Sequence, residues 1–247
     1  MKKILTFCLF ITLAWSAQAQ VSNLKLGIQA SPTFSWMTTN NNNITSDGTV
    51  AGFNLGITGQ YYFSENYSLV SGISLLLNQG GGLKYDYAGN FLEKAAEDRA
   101  TTPTVTQLDS ISTGSTIKFK AQYIEIPFSI RLRTNEFGYL RYFAELPMFT
   151  LAFNTQGRGD ISGGNVVSEN ENISDDIVPI AFRWGLGAGV EYSISENLSL
   201  VGGVYYNSTL TDVVRDGVIF GAAGASNTEE DSKATTQSIT IRIGVVF

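Results

Sequence analysis

Strict alternation between apolar residues and polar or small ones is the feature that most limits what this chain can fold into. In the last ten residues, 238–247, every second position is Ile, Val or Phe. A period of two residues is that of a β-strand with one apolar face, and the 3.6-residue period of a helix fits none of these segments. Eight segments follow the pattern, an even number that allows an antiparallel barrel with both termini on one side. The clear segments are 24–31, 51–63, 123–133, 182–194 and 238–247, and the weaker ones are 67–77, 139–152 and 198–207.

The connections between the predicted strands are alternately short and long. They are rich in Asn, Ser, Thr, Gly and acidic residues where they are long, as expected of solvated loops. Short periplasmic turns and long extracellular loops are typical of outer-membrane barrels. Within the second long connection, the segment from Phe91 to Arg99 is compatible with one or two helical turns. The short connections are 64–66, 134–138 and 195–197, and the long ones are about 37–49, 78–116, 154–179 and 208–235.

Alternation alone does not say which face meets lipid, because a soluble barrel turns its apolar face inward. The other face of these strands is mostly Gly, Ser, Thr, Asn and Gln, where a soluble surface would carry more Lys and Glu. Charged residues make up only 15% of the chain, against roughly 25% in soluble domains. Aromatic residues also gather near the short turns, where an interfacial girdle lies in membrane barrels. These aromatics are Tyr61, Tyr62, Phe63, Tyr67, Tyr139, Tyr142 and Tyr192.

We therefore predict an all-β fold, a closed eight-stranded antiparallel transmembrane β-barrel with the strands in an up-and-down meander. A soluble, lipocalin-like periplasmic carrier is the alternative.

The polar face of the predicted strands carries charges of both signs well inside the strands. The lumen of an eight-stranded barrel is filled by side chains, and opposite charges buried there can pair. We interpret these residues as a structural lumen charge network, with a proton or ion relay as the alternative. They are Glu125, Arg131, Arg133, Arg141, Glu145, Arg183, Glu191 and Arg242.

Residues 1–19 have the features of a signal peptide. Lys2 and Lys3 precede an apolar run from Ile4 to Trp15, which is too short to cross a bilayer. Ala17-Gln18-Ala19 then supplies a small-x-small cleavage pattern. We predict export, cleavage near Ala19, and a barrel domain that occupies 20–247.

Composition excludes several classes of chemistry. The chain has no His, so Ser-His-Asp triads, Cys-His pairs and His metal ligands are absent. Its single cysteine, Cys8, lies in the predicted leader. The net charge of −6 disfavours nucleic acid as a partner. We therefore predict no enzymatic activity, no catalytic residues, no cofactor and no metal site.

Three motifs fall in the predicted long loops. Arg158-Gly159-Asp160 matches an adhesion tripeptide in an exposed loop, although so short a match is weak evidence. Asp175-Asp176 and the 229–231 segment lack the spacing of a calcium loop, so we interpret them as solvated acidic loop tips. We expect outer-membrane lipid and lipopolysaccharide as surroundings, with divalent cations bridging these acids to lipopolysaccharide as a hypothesis, and envelope proteins as partners of the loops.

The last predicted strand ends in an aromatic residue. An unbroken outward stripe with a terminal Phe resembles the signal that the barrel-assembly machinery of outer membranes recognises, so we expect that machinery as a partner during biogenesis. The stripe consists of Ile239, Ile241, Ile243, Val245 and Phe247.

The whole of 21–247 resembles the PorT-like family of small outer-membrane β-barrel proteins. The resemblance rests on the leader, the Gly-containing opening strand, the closing stripe and, most distinctively, Tyr123-Ile124-Glu125-Ile126-Pro127-Phe128. It implies an eight-stranded outer-membrane barrel without a catalytic motif, and the namesake of the family is associated with protein export by a type IX system. We therefore expect a non-enzymatic outer-membrane barrel with a structural, accessory or loop-mediated binding role, and an export accessory as the alternative.

Overall fold

The computed structural model describes residues 23–92, 111–163, 167–220, 226–229 and 231–247. The predicted signal peptide, 1–19, lies outside the described residues, and so does most of the segment from Phe91 to Arg99. In the described part of the chain, no helix is both long enough and apolar enough to span a bilayer.

Eight long antiparallel strands form the body of the molecule. Each strand pairs with its neighbours in the chain, and the first pairs with the last, so the sheet closes on itself. This confirms the predicted closed eight-stranded meander. The strands are β1 (Leu24–Thr39), β2 (Val50–Ser64), β3 (Tyr67–Tyr85), β4 (Ser115–Arg133), β5 (Leu140–Ser162), β6 (Ile180–Ser195), β7 (Leu198–Thr209) and β8 (Ala234–Val246).

The long connections contain short elements of their own. Ile44–Ser46 extends the sheet beside β3, and Ser168–Asn172 pairs with β5. Gly89–Asn90, Val218–Ile219 and Thr228–Glu229 form a small separate sheet, and Ser174–Asp176 forms one 3-10 turn.

The two ends of the chain close the barrel at the same rim. Ile28 lies opposite Val245, and Phe34 lies opposite Ile239. Next to them, Phe247 N donates to Leu26 O at 2.8 Å, and Leu26 N donates to Phe247 O at 2.9 Å. We call this rim, which also carries the three short turns, the short-turn end, and the opposite rim the long-loop end.

Four strands are much longer than the sequence pattern predicts. β1 has 16 residues, twice the length of the predicted segment 24–31. β3 and β4 have 19 residues each and β5 has 23, whereas a tilted membrane strand needs about 9–11. The predicted loops 78–116 and 154–179 are wrong at these ends, because the sheet continues through 78–85, 115–122 and 154–162. The additional residues project from the long-loop end.

The strands exchange the polarity of their two faces where they leave the apolar band. On β4, the outward residues Ile124, Phe128 and Ile130 are exposed, and the inward residues Glu125 and Arg131 are buried. Before Tyr123 the same outward face becomes polar and the same inward face becomes apolar. The outward residues there are Thr116, Lys118, Lys120 and Gln122, and the inward ones are Ile117, Phe119 and Ala121.

An apolar core therefore fills the barrel at its long-loop end. Side chains from the connections complete it, among them Leu92, Ile111, Ile173, Ile177 and Val213, all of which are buried. The long connections are thus not simply solvated loops, because these residues fold back over the barrel and pack against β4 and β5. The strand residues of this core are Met37, Leu76, Leu83, Tyr85, Ile117, Phe119, Ala121, Tyr123, Ala152, Ile161, Ala181 and Ala234.

Candidate functional site

The lumen below the apolar core is built around the buried carboxylate of Glu145 on β5. Arg131 on β4 donates to it through Nε at 2.9 Å and through Nη2, and Arg242 on β8 donates at 3.4 Å. Tyr205 Oη donates at 3.0 Å, and Ser129 Oγ donates at 3.1 Å. One carboxylate therefore ties together four strands from both sides of the barrel.

A second ion pair lies nearer the long-loop end. Arg183 on β6 donates to Oε1 of Glu125 on β4. Oε2 of the same carboxylate accepts from Asn54 Nδ2 at 2.7 Å and from Ser74 Oγ at 3.3 Å. Glu125 is thus bound by β2, β3 and β6, so each carboxylate oxygen is engaged.

The remaining predicted lumen residues lie toward the short-turn end. Arg133 Nη1 is 3.9 Å from Glu191 Oε1, and the Glu191 side chain is fully buried. Arg141 is different, because it lies at the rim and pairs at 2.7 Å with Glu136 in the β4–β5 turn. The structure therefore brings seven of the eight predicted residues into the lumen, in three groups, and places Arg141 at its mouth.

Each lumen arginine also lies over an aromatic ring. Arg131 is 4.2 Å from the ring centroid of Phe143, and Arg242 is 3.7 Å from that of Tyr205. The other two pairs are Arg133 over Tyr62 at 4.1 Å and Arg183 over Tyr123 at 4.7 Å. Since a desolvated cation is attracted to a ring face, these aromatic rings offset part of the free energy that the four guanidinium groups lose when they leave bulk water.

A polar cavity of about 40 Å³ separates the Glu125 and Glu145 groups. Its walls include Thr33, Asn54, Thr150 and Thr240, and it has room for a few water molecules. On the short-turn side its walls include Tyr205 and Arg242, which bind Glu145, and on the other side they include Leu76 of the apolar core. The described side chains therefore fill the lumen along most of its length.

Sequence reasoning missed the neutral members of this network. Gln60 accepts from Arg131 Nη1 at 3.2 Å and from Tyr62 Oη at 2.8 Å. Asn54, Ser74 and Tyr205 bind the two carboxylates directly. The sequence could have indicated them, because all of them occupy inward positions of strands whose outward positions are apolar.

The adhesion tripeptide lies in a strand, so its predicted place in an exposed loop is wrong. Arg158, Gly159 and Asp160 all belong to β5 and pair with Lys120, Phe119 and Lys118 on β4. Burial opposes ionisation of Asp160, but hydrogen bonds from Lys120 Nζ and Asn170 N outweigh it and lower the pKa of this carboxyl below 3.8. The tripeptide is therefore extended backbone within the sheet. Its two charged side chains, Arg158 and Asp160, are already bound to protein groups, unlike those of a free recognition loop.

The prediction that the acidic clusters are solvated loop tips is wrong for one of the described residues. Asp175 is exposed, but Asp176 is buried and therefore is not a solvated tip. Glu230 lies outside the described residues. Over the described ranges, no group of three or more acidic or cysteine side chains lies close enough together to hold a metal ion.

The closing stripe lies on the outer face of β8. Ile239, Ile241 and Ile243 are exposed, and Val245 and Phe247 are partly covered. The neighbouring strands β1 and β7 present apolar residues to the same side, including Ile28 and Val204. The stripe is thus part of the apolar band around the barrel.

Comparison with models of protein families gives a match that spans most of the chain. A family model described as outer membrane protein beta-barrel domain matches residues 17–215. No protein of curated function matches the chain.

Solved structures similar to the chain include three outer-membrane proteins. Neisserial surface protein A (NspA) is 15% identical over 90% of this chain and 97% of its own, with a TM-score of 0.39. Ail, the attachment invasion locus protein of Yersinia pestis, solved with the heparin analogue sucrose octasulfate, is 12% identical over 91% and 99%, with a TM-score of 0.40. The outer membrane protease OmpT from Escherichia coli is 6% identical over 92% and 97%, with a TM-score of 0.35. At TM-scores below 0.5 these likenesses add nothing to the family match.

Proposed function

Because the chain belongs to the outer membrane protein beta-barrel domain family and is an integral outer-membrane protein, we propose that it acts through its long-loop end at the cell surface and not by conducting solutes. The single observation that carries this proposal is the filled lumen. Two ion-paired carboxylates, Glu125 and Glu145, bridge the barrel wall, and an apolar core lies above them. We propose that the lumen charge network, from Glu125 to Arg242, is structural.

Because the protein is integral to the outer membrane, the apolar stripes are not those of a soluble carrier. A lipocalin-like protein would hold its apolar side chains around an internal cavity. Here Ile57, Ile73 and Ile243 are each about 60% exposed on the outside of the barrel, where lipid covers them. The internal cavity is polar and holds only about 40 Å³.

We propose that the protein is not an enzyme. Outer-membrane location does not decide this point, but the described chemistry supports it. Glu125 and Glu145 already accept hydrogen bonds from arginine, asparagine, serine or tyrosine side chains. The chain has no His to share protons with them.

The extracellular position of the long loops supports a binding role for envelope proteins. Val167, in the β5–β6 connection, is an apolar side chain that is 75% exposed at the long-loop end. Beneath it, the apolar core gives the connections a rigid base. A rigid base reduces the entropy lost when loops bind a partner.

The proposal is tested by photo-crosslinking in cells together with conductance in planar bilayers. A photoreactive residue at Val167 is expected to give discrete protein adducts, and the same residue at Ile243, which is also exposed but faces lipid, is expected to give none. The purified protein should show no steady conductance. Protein adducts of equal yield from Ile243, or a stable open channel, would contradict the proposal.

An accessory role in protein export is the second candidate, and the Tyr123–Phe128 motif favours it through its likeness to the PorT-like family. In this structure Glu125 of the motif binds Arg183, and Tyr123 packs under the same guanidinium. The motif therefore has a structural use that does not require export. Deletion of the gene tests the role directly, because an export accessory would be needed for the appearance of secreted proteins in the medium.

A further inference from the structure

Four cations lie together on the outer surface of the barrel, on the part of the wall that extends beyond the apolar band. They are Lys84 on β3, Lys118 and Lys120 on β4, and Arg158 on β5, and we call them the basic strip. Strand register places Lys84 beside Thr116, and Lys120 directly opposite Arg158. Lys118 and Lys120 share one face of β4 and are about 7 Å apart along the strand.

No other part of the described outer surface has such a cluster. The remaining cations of the described ranges lie in the lumen, at the short-turn rim, or in the connection between β7 and β8. The lumen holds Arg131, Arg133, Arg183 and Arg242, the rim holds Lys25 and Arg141, and the connection holds Arg215 and Lys233. In a chain of net charge −6, this clustering is not a by-product of a generally basic surface.

The strip is only partly neutralised by the protein. Asp160 binds Lys120, and Asp47 lies alongside and accepts from Thr116 Oγ1 at 2.7 Å. Lys84 and Lys118 form no ion pair with another described residue. Lys120 and Arg158 lie directly opposite each other across two strands, an arrangement of like charges that is destabilising. Asp160, which binds Lys120 and lies opposite Lys118, offsets only part of this charge, so an added anion would reduce the remaining repulsion.

The inner edge of the strip, at Lys120 and Arg158, lies nearest the headgroup layer, and Lys118 and Lys84 lie about 7 and 13 Å further along the strands. Ile124 is the last exposed apolar residue of β4, and Lys120 follows four residues further along, which is about 13 Å of strand. At a tilt of about 40° this corresponds to about 10 Å along the membrane normal. Lysine stems lie along apolar surface while their ammonium groups reach the polar layer.

We propose that the basic strip binds the phosphate of an anionic lipid in the outer leaflet, whose acyl chains lie on the apolar face beneath it. The inference is independent of what the loops bind. A lipid is favoured over a soluble polyanion because the strip faces sideways from the barrel wall, on the same outer face as Ile124 and Phe153, which are exposed to hydrocarbon.

The test measures lipid retention by the intact protein in detergent, using native mass spectrometry and diphosphorylated lipid A as the probe. Lys84→Gln together with Lys118→Gln leaves the Lys120–Asp160 pair in place. At roughly fivefold for each lysine near a charged lipid surface, the double variant should bind roughly thirtyfold more weakly. Lys84→Arg with Lys118→Arg should restore binding, and raised salt should weaken binding by the wild type.

The control is Arg215→Gln with Lys233→Gln, which removes the same charge from the β7–β8 connection and should leave affinity within twofold. A heat-modifiable band on a gel verifies that each variant is folded. An equal loss in the control pair would overturn the proposal in favour of bulk charge. Equal binding of dephosphorylated lipid A would overturn it in favour of acyl-chain contact alone, and binding of heparin without binding of lipid A would overturn the choice of a lipid.

Discussion

Replacing Glu145 by Gln should destabilise the barrel more than replacing either of its arginine partners. The carboxylate accepts from Arg131 at 2.9 Å, from Tyr205 at 3.0 Å and from Arg242 at 3.4 Å, and Arg131 is only 2% exposed. Glu145→Gln leaves the buried guanidinium of Arg131 and the partly buried guanidinium of Arg242 without their anion. Removing one partner of a buried pair costs about 3–5 kcal/mol, because the charge that remains is uncompensated.

Arg131→Met is the informative comparison. In this variant Glu145 keeps Arg242 and Tyr205, so the loss is that of hydrogen bonds to a charged group, about 1.5–3 kcal/mol. The double variant should lose less than the sum of the two, because the two side chains are in direct contact. Glu136→Gln breaks the exposed rim pair with Arg141 and should change stability by less than about 1 kcal/mol.

The measurement is urea unfolding of protein refolded into phosphatidylcholine vesicles. Tryptophan fluorescence from Trp36 and Trp184 reports the transition, and gel mobility without boiling reports the folded fraction. The reasoning is refuted if Glu145→Gln loses under 1 kcal/mol, or if it loses no more than Arg131→Met.

Three further predictions concern the outer face, the long-loop end and assembly. Ile130→Arg on the lipid-facing side of β4 should destabilise the barrel by about 2–4 kcal/mol, and Gln122→Arg, on the same face beyond the apolar band, by about 0–1 kcal/mol; similar losses at both sites in urea unfolding would contradict the exchange of polarity. Because the pKa of Asp160 is lowered by folding, its pair with Lys120 stabilises the protein above pH 3.8 and is lost as pH falls through the lower folded value. The stability difference between the wild type and Asp160→Asn should therefore be present at pH 6 and shrink toward pH 3, and a difference that grows on acidification would show the sign to be wrong. Deleting Phe247 should lower the amount of heat-modifiable protein in the outer membrane at unchanged synthesis, and unchanged amounts would remove the assembly role from this residue.

The period-two pattern predicted the number of strands, their order and their inward and outward faces. It failed at the long-loop end for a physical reason. Between Thr116 and Gln122 the alternation continues, but the apolar residues Ile117 and Phe119 now occupy inward positions. A search for outward apolar residues therefore stops at Ile124, although the alternation before it was itself a strand signal.

Alternation also does not show how far along the barrel axis an inward side chain lies. Arg141 was assigned to the lumen with Arg131, and only the fold shows that it lies at the rim beside Glu136. The neutral network members Asn54, Gln60 and Tyr205 have the same explanation. Their inward direction follows from the pattern, but the partner of each depends on strand register and tilt. Asn54 and Tyr205 contact carboxylates, whereas Gln60 accepts from the Arg131 guanidinium.

The exchange of polarity at Tyr123 also sets the height of the barrel in the bilayer. Sliding the barrel inward by two positions would carry Gln122 and Thr155 into hydrocarbon, and sliding it outward would bring Ile124 and Phe153 into water. Both movements are opposed, so the barrel has one favoured depth in the bilayer. Where the surrounding membrane is thicker or thinner, the lipids must deform to match the protein, at fractions of a kcal/mol for each ångström.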